Sequence, residues 1–299
     1  MKKNKIVCFG EILWDVFPTY KVAGGAPFNV CFHAKNLGLN THLISAVGQD
    51  SFGKELMSFL IQNNIATDFI HINYTLPTST VEVKLDKKGN ASYDIKENVA
   101  WDALFVDERI KNVVSEADVL LFGSLACRAD NNFEALLQLI DIAQQTVFDV
   151  NLRAPFYQQS VVEQLLHKAD IVKMNEEELE AIAGWFDIKE SIKSQMAFLI
   201  EKFNIDTLVV TAGKEGAFCM HDGFLLNQKG FPVEVIDTVG SGDSFLASLI
   251  FKMLRGASWQ ECLQFACATG SLVATKSGGT HAINEHTIVD FMHLQKFQK

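Results

Sequence analysis

The strongest chemical signal lies in Val235-Ile-Asp237-Thr238-Val239-Gly240-Ser241-Gly242-Asp243-Ser244-Phe245, which runs into an apolar stretch over residues 246–254. Gly240 and Gly242 let the backbone approach a ligand closely and adopt positive φ. A helix starting here aims its free N–H groups and the positive end of its dipole at one point, which suits an anion. A carboxylate inside such a turn repels the anion unless it faces an incoming hydroxyl and takes its proton. Asp243 suits a helix cap equally well, and spacing alone leaves both readings open.

A second glycine-rich stretch, Gly48-Gln-Asp-Ser-Phe-Gly53-Lys54-Glu55, nearly matches a P-loop. Glu55 replaces the hydroxyl that should meet Mg²⁺, and Asp50 would stand among phosphate oxygens. A strand-to-helix turn is the better reading. His281 and His286 are spaced so that they do not share a helical face, which makes them ordinary surface histidines rather than metal ligands.

These residues need a scaffold. Short, nearly continuous apolar runs at 6–9, 41–47, 119–122, 146–150, 171–174 and 207–211 read as parallel strands buried on both faces. Amphipathic stretches at 54–63, 131–144, 161–168 and 191–203 lie between them, and 241–254, 259–276 and 284–299 also read as helices. Strands alternating with helices predict an α/β fold with a parallel sheet sandwiched between helix layers. Two pieces break the rhythm: the strand-like 11–20, and an alternating 79–85 with a turn at 86–90 and a return strand at 91–95. They predict a small inserted β-lid, drawn from about 11–24 and 77–100, on a single domain spanning 1–299.

The 299-residue chain is 48% hydrophobic and carries 26 basic against 36 acidic residues, a net charge of −10. That balance argues against a nucleic-acid binder, which needs clustered Lys and Arg. No apolar run approaches the ~20 residues that span a bilayer. Glu11 and Asp15 end the first apolar stretch too early for a signal peptide. Six scattered cysteines without a Cys-x-x-Cys pair fit reduced thiols in a cytoplasmic protein.

The segment Asp237-Thr-Val-Gly-Ser-Gly-Asp243 resembles the C-terminal signature of the ribokinase-like (PfkB) carbohydrate kinases, and Gly24-Gly25-Ala-Pro-Phe-Asn29 resembles their N-terminal sugar-binding signature. Gly48-Gln-Asp50-Ser-Phe-Gly53, Asp149-Val-Asn151-Leu-Arg153, Asn175-Glu-Glu-Glu178 and Thr211-Ala-Gly213-Lys-Glu-Gly216 follow in the family's order, covering about the whole chain. The resemblance implies a Rossmann-like three-layer α/β/α sandwich with a mostly parallel sheet and a β-lid. It also implies ATP-dependent phosphorylation of a sugar hydroxyl, with Mg²⁺ and K⁺ as expected ions.

By that resemblance Asp243 is the base, and the N–H groups of Gly240, Ser241 and Gly242 form an anion hole, although the family often has Ala where Ser241 stands. Asn175 and Glu178 match Asn-x-x-Glu, which supports Mg²⁺ through its waters; they also read as a capping box. Thr211, Gly213 and Gly216 would meet ATP, or simply form a glycine-rich turn. Asp15, Gly24, Gly25 and Asn29 would hold the sugar. Asp15 would be expensive to bury unpaired, Asn29 could instead cap a helix or face solvent, and the two glycines could serve as lid hinges. Arg153 resembles an arginine that holds sugar or phosphate, the alternative being an ion pair with Asp149. Lys96 stands where fructokinases usually show Arg; it keeps the charge but loses the bidentate fork. Backbone carbonyls of Asp237 and Val239, with the 276–279 loop, resemble a K⁺ site.

The expected function is fructokinase, acting on the primary hydroxyl of a ketohexose. The absence of Lys after Gly24-Gly25 argues against ribokinase and against a phosphorylated substrate. The alternatives are a 2-keto-3-deoxygluconate kinase, a ribokinase, and a non-catalytic sugar or nucleotide sensor on the same fold. No G-x-G-x-x-G follows the first strand, which disfavours a dinucleotide enzyme. A homodimer through the exposed lid edges is expected.

Overall fold

The computed structural model describes residues 4–85 and 91–296, so the turn expected at 86–90 lies outside the described residues. A nine-stranded sheet forms the centre. In chain order its strands are β1 (Lys5–Phe9), β4 (Asn40–Gly48), β5 (Ile70–Asn73), β8 (Val119–Gly123), β9 (Thr146–Asp149), β10 (Ile171–Asn175), β11 (Thr207–Thr211), β12 (Ala217–His221) and β13 (Phe224–Gln228). Their spatial order is β13-β12-β11-β10-β9-β8-β1-β4-β5. All neighbours from β11 to β5 pair in parallel, and only β12 and β13 run antiparallel at one edge.

The near-continuous apolar runs are explained by layers on both faces. In β1, Ile6 and Cys8 face one core and Val7 and Phe9 the other, as the period of two requires. The first core is covered by α1 (Ala26–Asn36), α2 (Ser51–Gln62), α8 (Ser241–Leu254), α9 (Trp259–Ala274) and α10 (Glu285–Lys296). The second is covered by α3 (Glu108–Ser115), α4 (Asp130–Ile140), α5 (Gln159–His167), α6 (Glu176–Gly184) and α7 (Ile192–Phe203). Helix α4 stops before the expected 144. The chain must turn to reach β9, and it tightens into Ile142 N–H to Leu139 and Ala143 N–H to Ile140 bonds of 3.3 and 3.2 Å.

A second, four-stranded sheet contains β2 (Leu13–Val16), β3 (Lys21–Gly24), β6 (Thr80–Leu85) and β7 (Ala91–Ile95), in the order β3-β2-β6-β7. It joins two antiparallel hairpins through a parallel β2–β6 pairing, drawing its strands from both segments expected for the lid. The architecture is thus the three-layer α/β/α sandwich with a small added sheet. The P-loop lookalike is a strand-to-helix turn: Asp50 caps α2, accepting from Gly53 N–H at 2.8 Å and from Thr78 N–H and Oγ1 at 2.7 Å each. The six cysteines are buried and unpaired, and no described helix is long and apolar enough to cross a membrane.

Candidate active site

β1, β8, β9, β10 and β11 lie side by side in the parallel part of the sheet, and the N-terminus of α8 comes against Lys173 of β10, at the edge of the sheet where open α/β folds bind ligands. Gly240 caps α8 at φ 74°, and a Cβ there would stand 2.5 Å from Cα of Gly279. Both the positive φ and the crowding exclude a side chain. Ser244 N–H donates to the Gly240 carbonyl at 2.8 Å and Ser241 N–H to that of Thr238 at 3.2 Å. The Ser241 amide is therefore already engaged, which corrects the expected anion hole. Among the described residues the N–H groups of Gly240, Gly242 and Asp243 have no backbone acceptor, and they form the open set.

No side chain caps α8, so Asp243 does not serve as its cap. Its Oδ2 accepts a 2.8 Å hydrogen bond from Asn29 Nδ2. The carboxylate sits within protein mass yet keeps partial access to solvent. Burial, with the Asp149 charge adding, raises its pKa to about 6, while Lys173, Asn29 and Arg153 pull the other way. Asn29 is 6% exposed, neither a cap nor solvated, and its Oδ1 is buried without a partner. A buried amide oxygen left unpaired is costly unless a ligand donor meets it.

Asp15 projects from β2, and burial, reinforced by the Asp243 charge, raises its pKa to about 6. A Cβ on Gly24, on the neighbouring β3, would collide with Asp15 Oδ2. Gly25 (φ 111°) leads into α1 with the Glu11 carbonyl 2.5 Å from where its Cβ would stand. Glu11 is a site neighbour that the sequence did not single out. It is 2% exposed, Oε1 accepts from Ala26 N–H at 3.1 Å, and Oε2 has no partner. Burial raises its pKa to about 7.

Asp149 pairs with Lys173 at 3.0 Å, not with Arg153. The Arg153 side chain is exposed; its Nη1 donates to the Leu152 carbonyl at 3.1 Å, and its charge acts on both Glu11 and Asp243. Lys173 was also missed, although a signal existed: it is the one charged residue in the run 171–174, whose neighbours are buried on both faces. Asn175 and Glu178 form the full capping box of α6. Glu178 Oε1 accepts from Leu152 N–H and Oε2 from Asn175 N–H, both at 2.9 Å. Burial raises its pKa, only partly offset by Lys173. Each oxygen retains a lone pair, which suits a water in the shell of Mg²⁺, an ion that keeps several waters.

Thr211 ends β11 beside Asn175. A Cβ on Gly213 would meet open space, whereas Gly216 (φ 102°) packs against the chain at 228–230, as a tight turn demands. Asp237 braces two loops, accepting from Val239 N–H at 3.0 Å and Gly278 N–H at 2.8 Å. The carbonyls of Asp237 and Val239 receive no backbone N–H among the described residues, so they are free for a cation. Lys96 sits at the base of the second sheet, with Nζ 2.7 Å from Asp94 and 3.7 Å from Glu82. Its carbonyl accepts from Arg128 Nη2 at 2.6 Å. Arg128, also not foreseen, grips Asp102 in a bidentate pair at 2.8 Å and stacks on Trp101. A cavity of about 670 Å³ opens there, lined by Glu97, Asn98, Ser124, Arg128, Phe156 and Tyr157 among others, while Asp243 lies outside its wall.

The arrangement is a carboxylate with an elevated pKa at the open N-terminus of a helix, ringed by further carboxylates and an orphaned amide. It can bind an anion and accept a proton from a hydroxyl. A sequence profile described as pfkB family carbohydrate kinase matches residues 3–286. A probable fructokinase-4 of Arabidopsis thaliana is 28% identical, covering 94% of each chain. A Xylella fastidiosa fructokinase with bound ATP superposes with TM-score 0.89 at 24% identity, covering 98% of this chain and 99% of that one. A double-mutant fructokinase of Vibrio cholerae O395, bound to fructose, ADP and potassium ion, gives 0.84 at 24% identity, covering 97% and 98%.

Proposed function

Because the chain belongs to the pfkB family of carbohydrate kinases, we propose that it transfers the γ-phosphoryl of ATP to the primary hydroxyl of a ketohexose, with fructose as first choice. The carrying observation is the Asn29–Asp243 hydrogen bond at a helix terminus that Asp243 does not cap. Asp243 takes the hydroxyl proton as the sugar oxygen bonds to phosphorus and the bond from phosphorus to the ADP oxygen breaks. The N–H groups of Gly240, Gly242 and Asp243 stabilise the charge on the moving group. Asp15 and Asn29 orient the sugar. Gly24 and Gly25 give it access to backbone, while Thr211 and Gly213 face ATP. Mg²⁺ held through water by Glu178, beside Asn175, would neutralise phosphate charge. K⁺ at the Asp237 and Val239 carbonyls would brace the loop beneath Gly240.

The choice of an unphosphorylated sugar rests on charge. Glu11, Asp15 and Asp243 make a sugar side that disfavours a second phosphate. One observation favours 2-keto-3-deoxygluconate as a second reading. The Arg153 guanidinium has no carboxylate partner within ion-pair distance among the described residues and could take a substrate carboxylate. The proposal includes a cytoplasmic location, suited to six free thiols, and a homodimer through the edges of the four-stranded sheet, testable by sedimentation.

A panel of fructose, ribose, 2-keto-3-deoxygluconate and fructose 6-phosphate with Mg-ATP, in K⁺ and then in Na⁺, tests the reading. Fructose is expected to turn over best, and Asp243→Asn to keep ATP binding while losing ~10²-fold or more in turnover. Turnover of none of the sugars would favour the sensor reading instead, and parental turnover by the variant would remove Asp243 from the base role.

A further inference from the structure

Lys173 stands in the middle of a strand otherwise buried by apolar side chains. It shares the β10 face of Ile171, which packs in the core beneath α8, and its side chain is 9% exposed. The register sets it level with Asp149 on β9, whose Oδ1 lies 3.0 Å from its Nζ. From there Nζ reaches to 3.2 Å from the place a Cβ on Gly242 would occupy, directly under the first turn of α8. A cation beneath the positive end of a helix is repelled by it. Burial would also discharge it, yet the Asp149, Glu178 and Asp243 charges outweigh burial and keep it charged above the ordinary lysine range. A cation held against two unfavourable effects, under amides without acceptors, marks a place prepared for negative charge.

We propose that Lys173 is a positioning residue for phosphoryl transfer: anchored by Asp149 beneath Gly242, its ammonium fixes the first turn of α8 and compensates the charge of the Asp243 carboxylate. This rests on the kinase reading and adds to it a residue that acts through Asp243. The groups facing Asp243 are Asn29 from α1, Asp15 from β2, Glu11 after β1, Asp149 at the end of β9, Lys173 from β10 and Arg153 beyond β9. Of the two cations, Lys173 alone is buried. Without it the Asp149 charge acts on Asp243 with no buried cation to offset it. With both Lys173 and Asp149 made apolar, the excess repulsion disappears as well.

Lys173→Met, Lys173→Arg and the double variant Lys173→Met/Asp149→Leu are compared with the parent. Asp243 ionisation is read directly by NMR of ¹³C-labelled aspartate, and kcat and KM are followed against pH. Lys173→Met should raise the Asp243 midpoint by about one pH unit and carry the acid limb of kcat up with it, a ~2-fold loss at pH 7 that grows to ~10-fold at pH 5, with the KM for ATP changing less than ~3-fold. Lys173→Arg should keep the midpoint near parental, and the double variant should bring it back down. A midpoint unmoved in folded Lys173→Met would overturn the proposal, as would a double variant no different from the single one. The NMR readout needs no turnover, so a failure of the kinase reading shows up separately, as an inactive parent.

Discussion

Replacing Asn29 with Leu removes the one neutral side-chain hydrogen-bond donor on the Asp243 carboxylate among the described residues, the Nδ2 group at 2.8 Å. A hydrogen bond to a charged acceptor contributes roughly 1.5–3 kcal/mol, and 1.36 kcal/mol corresponds to one pH unit, so the Asp243 pKa should rise by about one to two units. Starting from about 6, the carboxylate then titrates near 7 to 8. At pH 7 the parent is ~90% ionised, whereas the variant is ~10–50% ionised. The expected profile of kcat/KM for fructose therefore has its acid limb moved upward by about one to two units, with the ionisation-dependent part of the loss recovered above pH 9. A constant loss at all pH values, on top of that shift, would report the missing contact with the sugar. Initial rates between pH 5 and 10 under saturating Mg-ATP measure both. An acid limb that stays in place would refute the idea that this hydrogen bond tunes the base.

Two further outcomes are expected. Glu11 is a buried acid whose folded pKa, about 7, exceeds its ordinary 4.5; the folded state holds the extra proton between those values, so this group's stabilisation is full below about 4.5 and is lost as pH rises to 7. Glu11→Gln, which keeps an acceptor for Ala26 N–H, should be more stable than the parent at pH 8 by up to ~3 kcal/mol, with the gain vanishing near pH 4; urea unfolding at the two pH values checks it, and a variant destabilised at pH 8 contradicts it. Arg128→Met leaves the half-buried Asp102 with its Val99 N–H bond but no cation and frees the Lys96 carbonyl, so it should destabilise by ~1–3 kcal/mol; Arg128→Met/Asp102→Leu should recover part of that, measured by the same method.

Much of this was legible in one dimension. The apolar runs at 6–9, 41–47 and 207–211 announced strands covered on both faces, because burial on both sides removes the polar alternation that a half-exposed strand would show. Gly240 announced the start of a helix, because the backbone geometry there depends on adjacent residues. The Asn175–Glu178 box was readable as a cap for the same reason, since its two partners lie three residues apart.

What the chain order could not convey was which distant side chains meet. Asn29 and Asp243 are 214 positions apart, and Lys173 and Asp149 are 24. Only parallel pairing of β9 with β10, and the packing of α1 against α8, brings them into hydrogen-bonding range. The same distance concealed that Asp149 chooses Lys173 over Arg153, and that Glu11 lies buried beside the site. Local backbone preferences act over a few residues and are written in residue types. Charge compensation and desolvation act through space, so the assembled sheet alone decides them.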